Sequence, residues 1–391
     1  MLTHLKMPLR MNSNKKSCIV VTCFDENQPG FLDFSYRIKV LAARYQLTVI
    51  STFNITQAEL VLDNINYIVI NAEKSRIGWL KYLWRCVSCI RQRQPNLIML
   101  LHSMAAPVAL LVYNIPTITY WNEHPTHVAP VPKGVSFIKY ISRWVIRWLM
   151  YQGAVKSTLT MPIGEAHQRD LIAHGCNINK LQMIYMGVEQ SFYKVAESKK
   201  PRLADAPLQL LYVGSVQKDR GRDVMLEAIA MANRVNKIAH LTIVGASDEQ
   251  MKICQEVIKT LSTENDVTIH GRVPGSAVPN FMANADVGLC IWDSLPWYKF
   301  NPPTKLFEYL VAGLPVMASN ITTHTQYVKD GVNGMLFEYD SASLADAIKR
   351  LWQNRADLLH MKQRTGNNSA AYLWDNIEPQ FINAIDRVVH K

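Results

Sequence analysis

The sequence has no run of about 18 uncharged apolar residues, the length a helix needs to cross a bilayer, so no transmembrane helix is expected. Its start, up to Lys15 and Lys16, holds no apolar core of the kind a secretory leader uses, and no signal peptide is expected. Cysteine is sparse and odd in number, with seven residues, several of them in apolar runs. That reads as reduced thiols in a cytosolic compartment. Cys86 and Cys89 form one CxxC with no second pair to complete a four-cysteine zinc site, so they read as neighbours on a helix. No repeat of solenoid period appears, nor any DNA- or RNA-binding motif, so no nucleic-acid partner is expected.

What is present is enough for two packed cores. The 391 residues are 49% hydrophobic and 19% charged. That length suits two domains of about 150–200 residues. Charge is uneven. Residues 1–195 carry 21 Lys and Arg against 10 Asp and Glu, whereas the remainder is balanced at 21 each. The whole excess of +11 lies in the first half, which favours an anionic partner.

Short apolar runs alternate with longer amphipathic ones. Strands are predicted at 17–24, 47–52, 65–71, 96–102, 115–121 and 157–162. After a polar, proline-bearing linker (197–207) they resume at 208–214, 240–245, 266–271, 286–292, 315–320 and 334–338. Runs that are apolar on both faces suit parallel sheets covered by helices. The prediction is an α/β chain of two Rossmann-like domains facing a central cleft. Its parts are 1–196, 197–371 and a last helix (372–391) packing back toward the N-terminal domain.

Residues 137–156 place Lys139, Arg143 and Arg147 on one helix stripe, with Trp144 and Trp148 beside it. Residues 79–85 are similar. Such helices suit either a core with a solvated stripe or an anionic lipid interface. The one-sided charge favours the interface, hence a cytoplasmic protein peripheral on the inner face of a membrane.

Two blocks carry chemistry. In 301–316, a helix begins near Pro303, and its free amides suit a phosphate. Lys305 adds charge in the first turn, Glu308 follows one turn later, and Gly313 ends the helix. In 211–228, a strand leads through Gly214 and Ser215 into a basic loop with Lys218, Arg220 and Arg222, then a helix. The first block alone also suits an ordinary helix–strand connection, and the second a solvated basic turn.

Together these blocks resemble family 4 glycosyltransferases of the GT-B fold. The stretches 161–171, 185–189, 270–273 (His-Gly-Arg-Val) and 331–334 (Gly-Val-Asn-Gly) fit in the same order. The resemblance implies a retaining sugar transferase with a nucleotide-diphosphate sugar as donor, no cofactor and no obligatory metal. The sequence contains no Asp-x-Asp, the metal-holding pair of sugar transferases of another fold. The acceptor is expected to be a saccharide or a lipid-linked saccharide, in surface polysaccharide or glycan assembly. Glu308 matches the glutamate that holds the donor ribose. The family's partner glutamate falls at Phe300, and its arginine after the first glycine at Ser215. Arg220 then takes the diphosphate, together with Lys305 and the backbone at Gly30, Gly214, Ser215, Thr304 and Leu306. Arg272 and Val273 lie where the nucleobase edge meets backbone amides. His102 and the run 120–125 end adjacent strands. His124 is assigned to the donor sugar or its phosphate and Glu123 to the acceptor hydroxyl, with His127 a weaker neighbour. A nucleotide-sugar epimerase of the same architecture, a non-catalytic polyanion or membrane binder, and a silent scaffold are the alternatives.

Overall fold

The computed structural model describes residues 15–23, 31–54, 64–73, 75–131, 134–198, 206–367 and 369–389. The chain divides into two compact units. One comprises Met1–Ile184 with Phe381–Lys391, the other Tyr185–Gln380.

The first unit is built on β1 (Ser17–Val21), β2 (Gln46–Ser51), β3 (Ile65–Val69), β4 (Leu97–Leu100), β5 (Thr117–Trp121) and β6 (Leu159–Pro162). All pairs are parallel, in the order β3-β2-β1-β4-β5-β6. Its helices are α1 (Phe31–Arg44), α2 (Arg76–Arg93), α3 (Pro125–Val128), α4 (Phe137–Lys156) and α5 (Glu165–Ala173), with a 3-10 segment at Ser103–Leu110. β4 and β5 are buried at every residue, as strands covered on both faces must be. α4 packs against the 3-10 segment, where Gly153 is needed: a Cβ there would lie 2.2 Å from the Ala106 carbonyl oxygen.

The second unit begins with α6 (Gln190–Ser198) and repeats the pattern. Its strands are β7 (Leu208–Val213), β8 (Ala239–Ala246), β9 (Val267–Gly271), β10 (Val287–Cys290), β11 (Val316–Ser319) and β12 (Gly334–Phe337). They are again parallel, in the order β12-β11-β10-β7-β8-β9. Around them lie α7 (Arg222–Ala232), α8 (Asp248–Leu261), α9 (Val278–Ala283), α10 (Thr304–Val311), α11 (Thr322–Thr325), α12 (Ser341–Gln353) and α13 (Arg355–Asn367). α14 (Trp374–Val389) closes the chain, its later residues belonging to the first unit. There the Phe381 ring lies 4.8 Å from the Arg37 guanidinium carbon, and Asp386 pairs with Arg44 at 2.7 Å.

Each of the twelve predicted strands has its counterpart, shortened at several ends where the chain leaves the ladder for a polar turn. The division does not fall at 196/197 but at Ile184/Tyr185. The reason is α6: Phe192 and Val195 are buried, and the helix packs on α9 and α10 of the second unit. Residues 199–205 of the predicted linker lie outside the described residues. In both sheets the strand order reverses beside the first strand of the unit, between β1 and β4 and between β7 and β10. In open α/β sheets that switch point is where ligands collect, beyond the carboxyl ends.

Candidate active site

In the second unit, β7 runs into Gly214 and β10 into Ile291 and Trp292, so the switch point opens onto the segment 214–222. Gly214 has φ +124°, a conformation side-chain-bearing residues rarely adopt, and a Cβ there would stand 3.3 Å from Lys305 Nζ. Gly221 has φ +79°, and a Cβ there would strike Ile291 Cγ2 at 2.2 Å. These two glycines let the backbone pass close beneath the lysine and turn into α7.

Lys305 lies in the first turn of α10, whose N-cap, Pro303, offers no side-chain capping bond. The residue is 8% exposed. Its ammonium lies 3.6 Å from the centre of the Tyr212 ring and has no hydrogen-bond partner among the described residues. Burial drives this group down to about 7, Arg220 adds to the drop, and Cys290 and Glu308 oppose it. Glu308, half-buried one turn along α10, is lifted to about 7 by burial, with Lys305 opposing and Glu189 assisting. A buried, unpartnered cation is costly unless something anionic completes it.

Arg220 is held from two sides. Its Nη1 donates to Ser215 Oγ at 2.8 Å, and its Nε to the Tyr298 hydroxyl at 3.4 Å. That hydroxyl donates to Asp219 at 2.9 Å, and the Tyr298 ring stacks on Trp292, centroids 4.3 Å apart. Tyr212 and Tyr309 complete the floor. Tyr309 hydroxyl accepts from the Val213 amide at 2.9 Å and donates to the Leu211 carbonyl at 3.1 Å. Behind them His324 is buried between Ser319 and Cys290, 3.4 Å from the Cys290 sulfur, and burial holds its imidazole down to about 3.

The switch point thus gathers Gly214, Ser215, Arg220, Lys305 and Glu308 around one buried electrostatic neighbourhood. Thr304, half-buried, shares the helix tip. Leu306 is wholly buried and its amide already donates to the Pro303 carbonyl at 3.0 Å, so it offers a ligand nothing without rearrangement. Arg272, exposed, and Val273 follow β9, two strands away from β7. Gly30 lies outside the described residues.

In the first unit, His102 and Ser103 follow β4, and Asn122, Glu123 and His124 follow β5. His102 is buried. Its Nδ1 accepts from the Met104 amide at 3.1 Å, and burial lowers it to about 4. The Glu123 carboxylate meets His127 Nδ1 at 2.6 Å, and His127 is well exposed. His124 is 2% exposed. Its Nδ1 accepts from the Thr126 amide at 3.2 Å, capping α3, and its Nε2 lies 3.1 Å from both Asp170 and the Tyr151 hydroxyl. A ligand contact from His124 requires one of these bonds to open, whereas Glu123 and His127 already present polar groups outward. Tyr298, Tyr212, Tyr151 and Asp170 were missed from the sequence. Their partners come from other elements, and no local spacing signals them.

A sequence model described as glycosyl transferases group 1 matches residues 207–354. The amylovoran biosynthesis glycosyltransferase AmsK of Erwinia amylovora is 27% identical over 209 residues, 52% of this chain and 50% of that protein. The phosphatidyl-myo-inositol mannosyltransferase of Mycobacterium leprae is 28% identical over 198 residues, 49% of this chain and 50% of that protein. The chain spans about half the length of these curated relatives. Among solved structures, Anabaena Alr3699/HepE, in complex with UDP, superposes with a TM-score of 0.73 at 16% identity, covering 95% of this chain and all of that one. WaaG, a glycosyltransferase involved in lipopolysaccharide biosynthesis, gives 0.70 at 15% identity, over 95% and 99%. The two parallel sheets are those of the GT-B fold, and residues 207–354 are similar to the group 1 glycosyl transferases.

Proposed function

We propose that this protein transfers a sugar from a nucleotide-diphosphate donor, with retention at the anomeric carbon and without an obligatory metal, to a lipid-linked saccharide at a membrane. One observation carries the reading: the buried Lys305 ammonium, without a hydrogen-bond partner among the described residues, beside Arg220 at the uncapped start of α10. The reaction breaks the bond between the anomeric carbon and the diphosphate oxygen and forms one to the acceptor oxygen. Charge grows on the leaving diphosphate, and Lys305, Arg220 and the α10 amides stand where that charge is favoured. The acceptor proton passes to a leaving phosphate oxygen. Glu308 accepts from the donor ribose. UDP is the first base to test, because the Anabaena structures were solved with UDP and with UDP-glucose.

The test is a thermal-shift screen of UDP-, GDP-, ADP- and dTDP-sugars, since a ligand that binds only the folded protein raises its melting temperature. One nucleotide class is expected to raise it by several degrees. No shift with any donor at saturating concentration contradicts the reading.

The affinity for the diphosphate is expected to be bell-shaped in pH, centred near 7. Above about 7, Lys305 of the free protein loses its proton and with it the charge that attracts the anion. Below about 7, Glu308 gains a proton and accepts the ribose hydroxyls less strongly. Each limb steepens toward about tenfold per pH unit, one proton per event. Isothermal titration across pH 5–9 should show both limbs, with Lys305→Met removing the alkaline limb and Glu308→Gln the acid one.

A further inference from the structure

The first turns of α4 are largely exposed. Phe137 is 75% exposed and Ile138 80%, and Trp144 and Trp148 continue the exposure along the helix. On α2, Ile77, Leu80 and Trp84 are exposed as well. The two faces are adjacent, because the Arg76 guanidinium of α2 donates to the Ser142 hydroxyl of α4. An exposed apolar patch of this extent marks a docking surface. Its charge identifies the occupant: the two helices carry nine basic residues and no acidic one. The core of a protein–protein interface is depleted of charge, whereas tryptophan and isoleucine interleaved with Lys and Arg fit the headgroup layer of an anionic bilayer.

The inner side of α4 grips the segment after β5. Arg147 donates to the Ala129 carbonyl through Nε at 2.9 Å and Nη2 at 2.6 Å. One turn later the Tyr151 hydroxyl reaches Asp170 at 2.7 Å and His124 at 3.1 Å. Segment 122–129, which carries Glu123, therefore hangs from the middle and end of α4. Turns of helix without packing open readily, and opening that spreads to residue 147 releases the hold on Ala129.

We propose that α4 is a membrane-docking lever: its outer turns, with the exposed face of α2, seat in the interface of an anionic bilayer, and Arg147 and Tyr151 pass that seating to segment 122–129. The proposal deepens the membrane part of the reading above and does not depend on the transfer chemistry, so its test uses no sugar donor.

The full chain is mixed with phosphatidylcholine vesicles, with or without phosphatidylglycerol, at low salt. Co-sedimentation and hydrogen exchange are both read. The wild type is expected to sediment with the phosphatidylglycerol vesicles, each basic residue at the surface being worth about fivefold in partitioning. Trp144→Ser/Trp148→Ser is expected to bind about tenfold more weakly or less. In the wild type, the amides of His127, Val128 and Ala129, which bond back to His124 and Pro125, should exchange about tenfold more slowly once vesicles are bound. Arg147→Met should still bind, within the fivefold of one charge, but lose that slowing. Wild type remaining in the supernatant overturns the docking and points to a protein partner. Undiminished binding by the tryptophan variant overturns the choice of face. Binding without slowed exchange, or equal slowing in Arg147→Met, overturns the lever.

Discussion

Lys305→Met is expected to lower kcat/KM by about 100–1,000-fold, the usual loss when one fixed stabiliser of a developing anion is removed. Methionine keeps most of the side-chain volume beside Tyr212 and deletes only the charge. The effect is large because the ammonium is already stripped of water and of hydrogen-bond partners among the described residues. Its desolvation is met during folding, so none of the attraction for a diphosphate is spent on shedding water. The same feature predicts a second, opposite change: without ligand, Lys305→Met should be more stable than the wild type, by about 1–3 kcal/mol, the cost of a buried unsatisfied donor. Steady-state rates and thermal melts on one preparation check both. A variant that merely damages the fold would lose activity and stability together. Arg220→Met is a less clean test, because Arg220 also bonds Ser215 and Tyr298 and so shapes the loop itself.

Asp33→Ala is expected to destabilise the first unit by about 3–5 kcal/mol, the penalty for stranding one partner of a buried ion pair. Asp33 is 3% exposed and Arg37 is wholly buried. The carboxylate receives Arg37 Nε at 2.9 Å, Nη2 at 3.1 Å and the Tyr120 hydroxyl at 2.7 Å. The guanidinium lies 4.1 Å from the Tyr120 ring centre and 4.8 Å from that of Phe381. α1, β5 and the last segment of the chain therefore share this one charge pair. The double variant Asp33→Ala/Arg37→Met is expected to recover much of the loss, since both charges of the pair are then removed together. Urea denaturation read by tryptophan fluorescence gives the midpoints for the cycle. Additive losses in the double variant contradict the pairing argument.

The sheets were legible in the sequence because a covered parallel strand is a short run of apolar residues, and all twelve stand out from the amphipathic helices between them. Lys305 and Glu308 were legible for a local reason as well. A proline, a lysine in the first turn and a glutamate one turn on define a helix tip without any knowledge of the rest. What was not legible depends on distant partners. Tyr212 lies under Lys305 from a strand far earlier in the chain, and Tyr298 meets Asp219 across 79 positions. His124 shows the limit most clearly. The strand-end rule put it beside Glu123, but its burial follows from Tyr151 and Asp170, which stand 27 and 46 residues away. The domain boundary was misplaced because polarity at 197–207 was read as the joint, when Phe192 and Val195 had already given α6 an apolar side that docks on the second unit.

An anion is expected to complete the charge at Lys305. A crystal structure of the protein soaked with UDP tests it most directly. The diphosphate should lie about 3 Å from Lys305 Nζ and the Arg220 guanidinium, beyond the carboxyl end of β7 and at the start of α10. UDP bound elsewhere in the molecule, with the Lys305 ammonium still unpartnered, would contradict it.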